Sequence, residues 1–321
     1  MTALQGGLGA PRPAEQSSSG PHPGSILTAA PGGIAALARM VKLSHSFFAL
    51  PFVVSAVVLV ARDMVPSAYR IALVALAVVA ARTAAMAMNR IADRRFDARN
   101  PRTARRELVT GEVTPAAAWA LLLGASAAFV VIAALISPLT GWLAAPVLAI
   151  LLGYSSAKRF TWACHLWLGV AQALAPIGVA IALTGAAPAA SLVLGLGVGA
   201  WIAGFDVFYA MQDTDFDRGE GLHSIPVRFG VRGGLTWARG LHVLTALAVP
   251  LAGWLAGRGA GWYAGSAIMT AVLVLEHRHV APGGQLRPER INVAFFNYNA
   301  FASVAFAVCA LADLWLTGRT P

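Results

Sequence analysis

In the stretch NRIADRRFDARN, residues 89–100, Asn89, Asp93 and Asp97 recur every four positions, with Arg90, Arg94 and Arg95 between them and Arg99 just after. Four residues on a helix turn about 40° past a full turn, so the three side chains share one face over roughly 12 Å. One amide and two carboxylates on such a ladder suit a hard divalent cation. Mg²⁺ takes oxygen ligands and commonly uses one or two protein carboxylates together with substrate phosphates.

A second acidic stretch, FDVFYAMQDTDFDRGEG, places Asp206, Asp213 and Asp217 at i, i+7 and i+11, while Asp215 falls on another face. Asp93 and Asp213 are 120 residues apart, as are Asp97 and Asp217, and each cluster is followed by a turn-like stretch and a new apolar run. The chain reads as an internal duplication with one acidic cluster per half. Four carboxylates, Asp93, Asp97, Asp213 and Asp217, can then hold two Mg²⁺ ions facing each other across a cavity. A diphosphate bridged there becomes a better leaving group, because its developing charge is taken up. Arg82 lies on the face of Asn89, and Arg102, Arg105, Arg106, Lys158 and Arg159 complete an anion clamp. Asp206 and Tyr209 join the candidate substrate-binding set. The competing reading of the same residues is that the carboxylates pair with nearby arginines on a solvated cap.

The elements that must position these residues are apolar. Of 321 residues, 58% are hydrophobic and 12% charged, against about 25% charged in soluble domains. Runs of about 20 apolar residues are long enough to span a bilayer as helices. Nine spans are expected, near 44–61, 69–91, 115–136, 141–157, 163–184, 189–211, 235–256, 260–276 and 292–316. The fold class is therefore all-α: a polytopic membrane protein whose nine helices surround a central cavity. Placing the N-terminus in the cytoplasm puts 19 of the 24 Lys and Arg residues on that side, so the C-terminus is expected outside. The net charge of +10 then follows from topology and attraction to anionic lipid, with no need of nucleic acid. Residues 1–36, rich in Pro, Gly and Ser, read as a disordered cytoplasmic tail, and 37–321 as the transmembrane domain.

Other polar residues carry structural readings. Gly195 and Gly199 suit close helix packing, and His277 and His279 a solvated loop. Asn297 and Asn299 suit bonds to neighbouring helices, and Cys164 and Cys309 small apolar filling. His45 and His165, at span starts, suit either the cavity mouth or the headgroup level. Two rival functions use the same features. A transporter would place its binding groups near the midplane on broken helices, whereas these clusters stand at helix ends. A phospholipid-synthesising phosphotransferase would carry Asp-Gly-x-x-Ala-Arg, which is missing.

NRIADRRFDARNPRTARRELVTGEVT resembles the first signature of the UbiA superfamily of intramembrane prenyltransferases, and YAMQDTDFDRGEGLHSIPVRFG resembles its second. YSSAKRFTWACHLWLGVAQALAPIG is similar to the middle segment of the 4-hydroxybenzoate polyprenyltransferase branch. The resemblance runs from about Val41 to the C-terminus. It implies a nine-helix bundle under a cytoplasmic cap formed by 89–114 and 212–234. It also implies Mg²⁺-dependent transfer of a polyprenyl group from its diphosphate to an aromatic ring in quinone biosynthesis. Asn89, Asp93 and Asp97 match the first motif, Asp213 and Asp217 the second, and Arg82 the arginine seven positions ahead of the first. Arg159 matches an arginine proposed to hold the acceptor carboxylate, and Asp213 an aspartate proposed to activate the phenol. Two positions depart: Arg90 stands where many relatives have Asp, and Arg106-Glu107-Leu108-Val109 replaces Arg-Pro-Leu-Pro. These forms resemble a sub-branch that prenylates a naphthoate on an alternative menaquinone route, so a quinone precursor bearing a carboxylate and a ring hydroxyl satisfies both.

Overall fold

A computed structural model describes residues 33–42, 50–61 and 66–316. The expected tail falls outside these residues except at its end, where Ile34 opens helix α1 (Ile34–Met40). His45 also falls outside them.

The apolar runs become helices because a chain in oil must satisfy its backbone internally. They are α2 (Leu50–Val60), α3 (Ala68–Asp97), α5 (Pro115–Ile136), α6 (Pro138–Gly153), α7 (Cys164–Thr184), α8 (Ala189–Ala210), α10 (Ile225–Leu255), α11 (Ala260–Val280) and α13 (Asn299–Leu316). Short helices α4 (Glu107–Thr110), α9 (Thr214–Gly219) and α12 (Pro288–Val293) lie in the polar connections. Among the described residues seven helical stretches are long and apolar enough to cross a membrane. Every expected span thus has a helix, but α2 is short within the described residues and α11 is not one of the seven. No strand occurs among the described residues. The chain is an all-helical integral membrane protein.

Local chemistry sets the helix ends. Ser67, Thr114, Ser137 and Ser224 cap α3, α5, α6 and α10, each accepting from a backbone N–H three residues on. Proline in the first turn of α5, α6 and α10 gives up an N–H that would have no helical partner anyway. Successive helices pack as neighbours, α3 on α5, α5 on α6, α6 on α7, α7 on α8 and α8 on α10, while α11 pairs with α13. Helix α2 closes the circuit between α13 and α7. Helices α7 and α8 approach closely: a Cβ on Gly199 would lie 2.5 Å from the Gly169 carbonyl oxygen, so glycine packing at Gly199 is borne out.

Two elements run longer than expected and position the site. Helix α3 is one uninterrupted rod of 30 residues, about 45 Å, that carries the whole first motif on its last turns. Helix α10 opens with a short helical stretch from Ile225 that breaks at Gly230 (φ 69°), and it runs on regularly from Val231 rather than near 235, because Arg232-Gly233-Gly234 stays helical.

Candidate active site

Both acidic clusters open onto one cavity of about 170 Å³, lined by Asn89, Asp93 and Asp97 from α3 and by Asp206, Tyr209, Asp213 and Asp217 from the second half. The second motif does not follow one regular helix. Helix α8 stops at Ala210, a 3₁₀ turn covers Met211–Asp213, and α9 begins at Thr214. Asp206, Asp213 and Asp217 nevertheless share the cavity, while Asp215 is 99% exposed at its side chain and pairs with Arg218.

Cations bridge the two halves. Arg102, from the loop after α3, forms a two-pronged ion pair with Asp213 and donates from Nη1 to the Tyr209 hydroxyl at 2.6 Å. Its guanidinium also sits over the Tyr209 ring, 4.8 Å from the centroid. Burial acts to lower the Arg102 pKa, but its bonds to Asp213 and Tyr209 prevail and hold it above the ordinary value. Asn100 Nδ2 donates to Asp213 Oδ1 at 3.1 Å. Arg106 Nη1 donates to both Asp97 oxygens, at 2.7 and 2.6 Å. Lys158 Nζ stands 3.9 Å from Asp217 Oδ1. Burial would lower that amine; the Asp217, Asp93 and Asp213 carboxylates outweigh it and keep it charged. Arg159 donates to the Ala92 carbonyl at 2.5 Å and reaches Asp93 Oδ1 only at 3.7 Å, an ion pair beyond hydrogen-bond reach.

Asp93 is thus the under-served carboxylate. It is 7% exposed, Oδ2 accepts one bond from Asn89 at 3.2 Å, and Oδ1 has no hydrogen-bond partner among the described residues. Buried charged oxygens normally have partners, so this atom marks a place for a cationic ligand. No three His, Cys, Asp or Glu side chains among the described residues form a ready-made metal cage.

The expected clamp is brought together in part. Arg102 and Lys158 line the cavity and Arg159 flanks Asp93, whereas Arg105 is exposed and Arg82, two turns deeper in α3, is not part of the lining. Arg106, also expected in the clamp, lines the cavity, because its bond to Asp97 turns it inward. Arg90 faces the other way: 4% exposed, it donates from Nε to the Met40 carbonyl and ties α1 to α3. His165 lines the cavity, settling its two readings in favour of the cavity. His277 does not lie in a solvated loop; it is on α11 and meets His242 of α10 at 3.0 Å. Asn299 bonds Glu276 of α11, as its interhelical reading anticipated, while Asn297 is exposed. Asn100, Tyr154 and Ser155 were missed as lining residues. Asn100 was legible, since it prolongs the 89–93–97 stripe by three.

Comparison with known proteins gives the family and the fold. Residues 49–312 match the model of the UbiA prenyltransferase family. A 4-hydroxybenzoate octaprenyltransferase of Aromatoleum aromaticum is 30% identical over 252 residues, 78% of this chain and 84% of that protein. One from Pseudomonas aeruginosa is 30% identical over 257 residues, 79% of this chain and 84% of its own. Among solved structures, a UbiA homolog from Aeropyrum pernix superposes with a TM-score of 0.73 at 31% identity, covering 86% of this chain and 98% of that one. A homolog from Archaeoglobus fulgidus, bound to GPP and Mg²⁺, superposes with a TM-score of 0.66 at 19% identity, covering 87% and 99%.

Proposed function

The chain belongs to the UbiA prenyltransferase family, and from that premise we propose that it transfers a polyprenyl group from its diphosphate to a ring carbon of an aromatic carboxylate in quinone biosynthesis. The observation that carries this is the convergence of two acid-bearing helix ends, 120 residues apart in sequence, on one cation-lined cavity. The 4-hydroxybenzoate octaprenyltransferases similar to it support a hydroxybenzoate-type acceptor.

Asp93, Asp97, Asp213 and Asp217 would hold Mg²⁺, and the unpartnered Asp93 oxygen is the atom that most requires it. When bound, the metal supplies charge neutralisation for the departing diphosphate. Asn89, Arg102 and Lys158 hold the diphosphate oxygens, with Arg105 and Arg82 as outer contributors to the same field. Arg159 holds the acceptor carboxylate, and Asp213 and Tyr209 polarise its hydroxyl. The buried walls exclude water, so that the allylic group meets the ring rather than hydroxide. The unit that does this is 37–321, oriented with its N-terminus in the cytoplasm and C-terminus outside, as the Lys and Arg distribution supports. Its partners are the polyprenyl diphosphate, the aromatic acid and membrane lipid, not nucleic acid. Purified protein with Mg²⁺ and a polyprenyl diphosphate, offered 4-hydroxybenzoate and 1,4-dihydroxy-6-naphthoate separately, tests the reading. A prenylated product from one acid supports it and names the acceptor; uptake into vesicles with no covalent product overturns it in favour of transport.

A further inference from the structure

Aromatic substitution requires two losses: diphosphate from the prenyl carbon and a proton from the ring carbon. The carboxylates and cations at the cavity mouth serve the first. Both oxygens of Asp213 are engaged by Arg102, and those of Asp97 by Arg106. Neither is a ready proton acceptor.

Deeper on the same lining is a different kind of pair. Asp206 precedes Asp213 by seven residues, which sets it about 10 Å further along α8. Its Oδ2 lies 2.7 Å from Nδ1 of His165, the second residue of α7. In the neutral ring, Nδ1 carries the proton and donates it to Asp206, which leaves Nε2 as the basic nitrogen. His165 is 4% exposed, it lines the cavity, and its Nε2 has no hydrogen-bond partner among the described residues. A buried imidazole oriented by a carboxylate, with its second nitrogen left over beside a substrate cavity, has the parts of a general base. Tyr154, Cys164 and Ser155 line the same space, and among the described residues no other buried histidine does.

We propose that His165, held by Asp206, is the catalytic base that removes the ring proton. The inference rests on the prenyl-transfer reading above. The prenyl C–O bond breaks with its electron pair going to the diphosphate, and a π pair of the ring forms the new C–C bond. The proton on that ring carbon passes to Nε2 of His165, and its C–H pair restores the aromatic sextet. Asp206 stabilises the imidazolium until the proton is lost to the released diphosphate, and the hydroxyl is retained throughout.

The test uses the full chain in lipid nanodiscs with Mg²⁺, a prenyl diphosphate and 4-hydroxybenzoate deuterated at the ring carbons beside the hydroxyl. Loss of a general base lowers turnover by about 10²- to 10⁴-fold. His165→Gln keeps a donor toward Asp206 but cannot take a proton, and is expected to lose turnover in that range with an unchanged KM for the diphosphate. Deprotonation then becomes rate-limiting, so a primary deuterium isotope effect appears in the variant that is absent or smaller in the parent. Asp206→Asn is expected to show the same isotope effect with a smaller loss, and serves alone if His165→Gln does not fold. A turnover loss without any isotope effect in the folded variant assigns the pair to structure and overturns the proposal, as does parental turnover in His165→Gln. If the parent itself forms no prenylated product with either aromatic acid, it is the prenyl-transfer reading that fails instead.

Discussion

Replacing Asp93 by Asn should separate stability from activity. In the folded chain the Asp93 carboxylate is buried, accepts one long bond from Asn89, and meets Arg159 only at 3.7 Å. Leaving a buried acceptor unsatisfied costs about 1–3 kcal/mol, more when it is charged. The amide keeps the shape and the Asn89 contact but sheds the charge, so Asp93→Asn should be as stable as the parent or about 1 kcal/mol more so. The same change removes a carboxylate facing the diphosphate. Losing one electrostatic contact of this type lowers turnover about 10²- to 10³-fold, equivalent to about 3–4 kcal/mol of barrier. Thermal unfolding in detergent and prenyl transfer in nanodiscs with Mg²⁺ read the two effects on one preparation. A variant that turns over like the parent refutes the assignment of Asp93 to the metal and diphosphate. A variant that unfolds more readily shows instead that the charge holds the fold together.

Arg102→Lys keeps the charge but loses the two-pronged grip on Asp213 and the Tyr209 contact. A lost charge-assisted bond is worth about 1.5–3 kcal/mol, so the KM for prenyl diphosphate should rise roughly ten- to a hundredfold. The Asp97–Arg106 pair should show a coupling energy of about 1–3 kcal/mol in a double-mutant cycle of unfolding free energies with Asp97→Asn and Arg106→Met; additivity would show that the bond seen between them is worth nothing. Lys42 is pushed down to about 8 by burial, with Arg90, Arg106 and Arg102 adding repulsion, against an ordinary 10.5. The unfolded chain binds more protons between those values, so stability should rise with pH from about 8 to 10.5, and Lys42→Met should flatten that rise in thermal scans. Gly199→Val drives a side chain into the Gly169 carbonyl and should destabilise the bundle by at least about 2 kcal/mol, visible as a lowered unfolding midpoint.

How much of this was legible in the sequence depended on which forces acted locally. Apolar runs in a bilayer have one solution, so each expected span meets a helix, and the acidic stripe 89–93–97 lies on one face because α3 continues unbroken to Asp97. The second stripe misled in detail. A spacing of seven and eleven reads as one helix whether or not a 3₁₀ turn intervenes, as one does at Met211–Asp213. Of the two neighbouring arginines expected in the clamp, Arg106 faces inward through a bond to Asp97 and Arg105 faces out, a distinction that no local pattern encodes. His277 looked like a loop residue because its partner, His242, is 35 positions away on another helix. The regular part of α10 begins at Val231, ahead of the expected 235, because paired glycines read as a turn, whereas of Gly230, Gly233 and Gly234 only Gly230 takes up a positive φ.

The length of α3 has a consequence for traffic. A rod of about 45 Å exceeds the roughly 30 Å hydrocarbon slab by almost three turns, enough length for the motif on its last turns to stand clear of the oil. Small, highly charged reactants and by-products can therefore come and go from the aqueous side without ever crossing oil. The greasy partner has no reason to leave the bilayer at all, so the two exits are sorted by solubility, and the enlarged lipid is delivered where it is already at home.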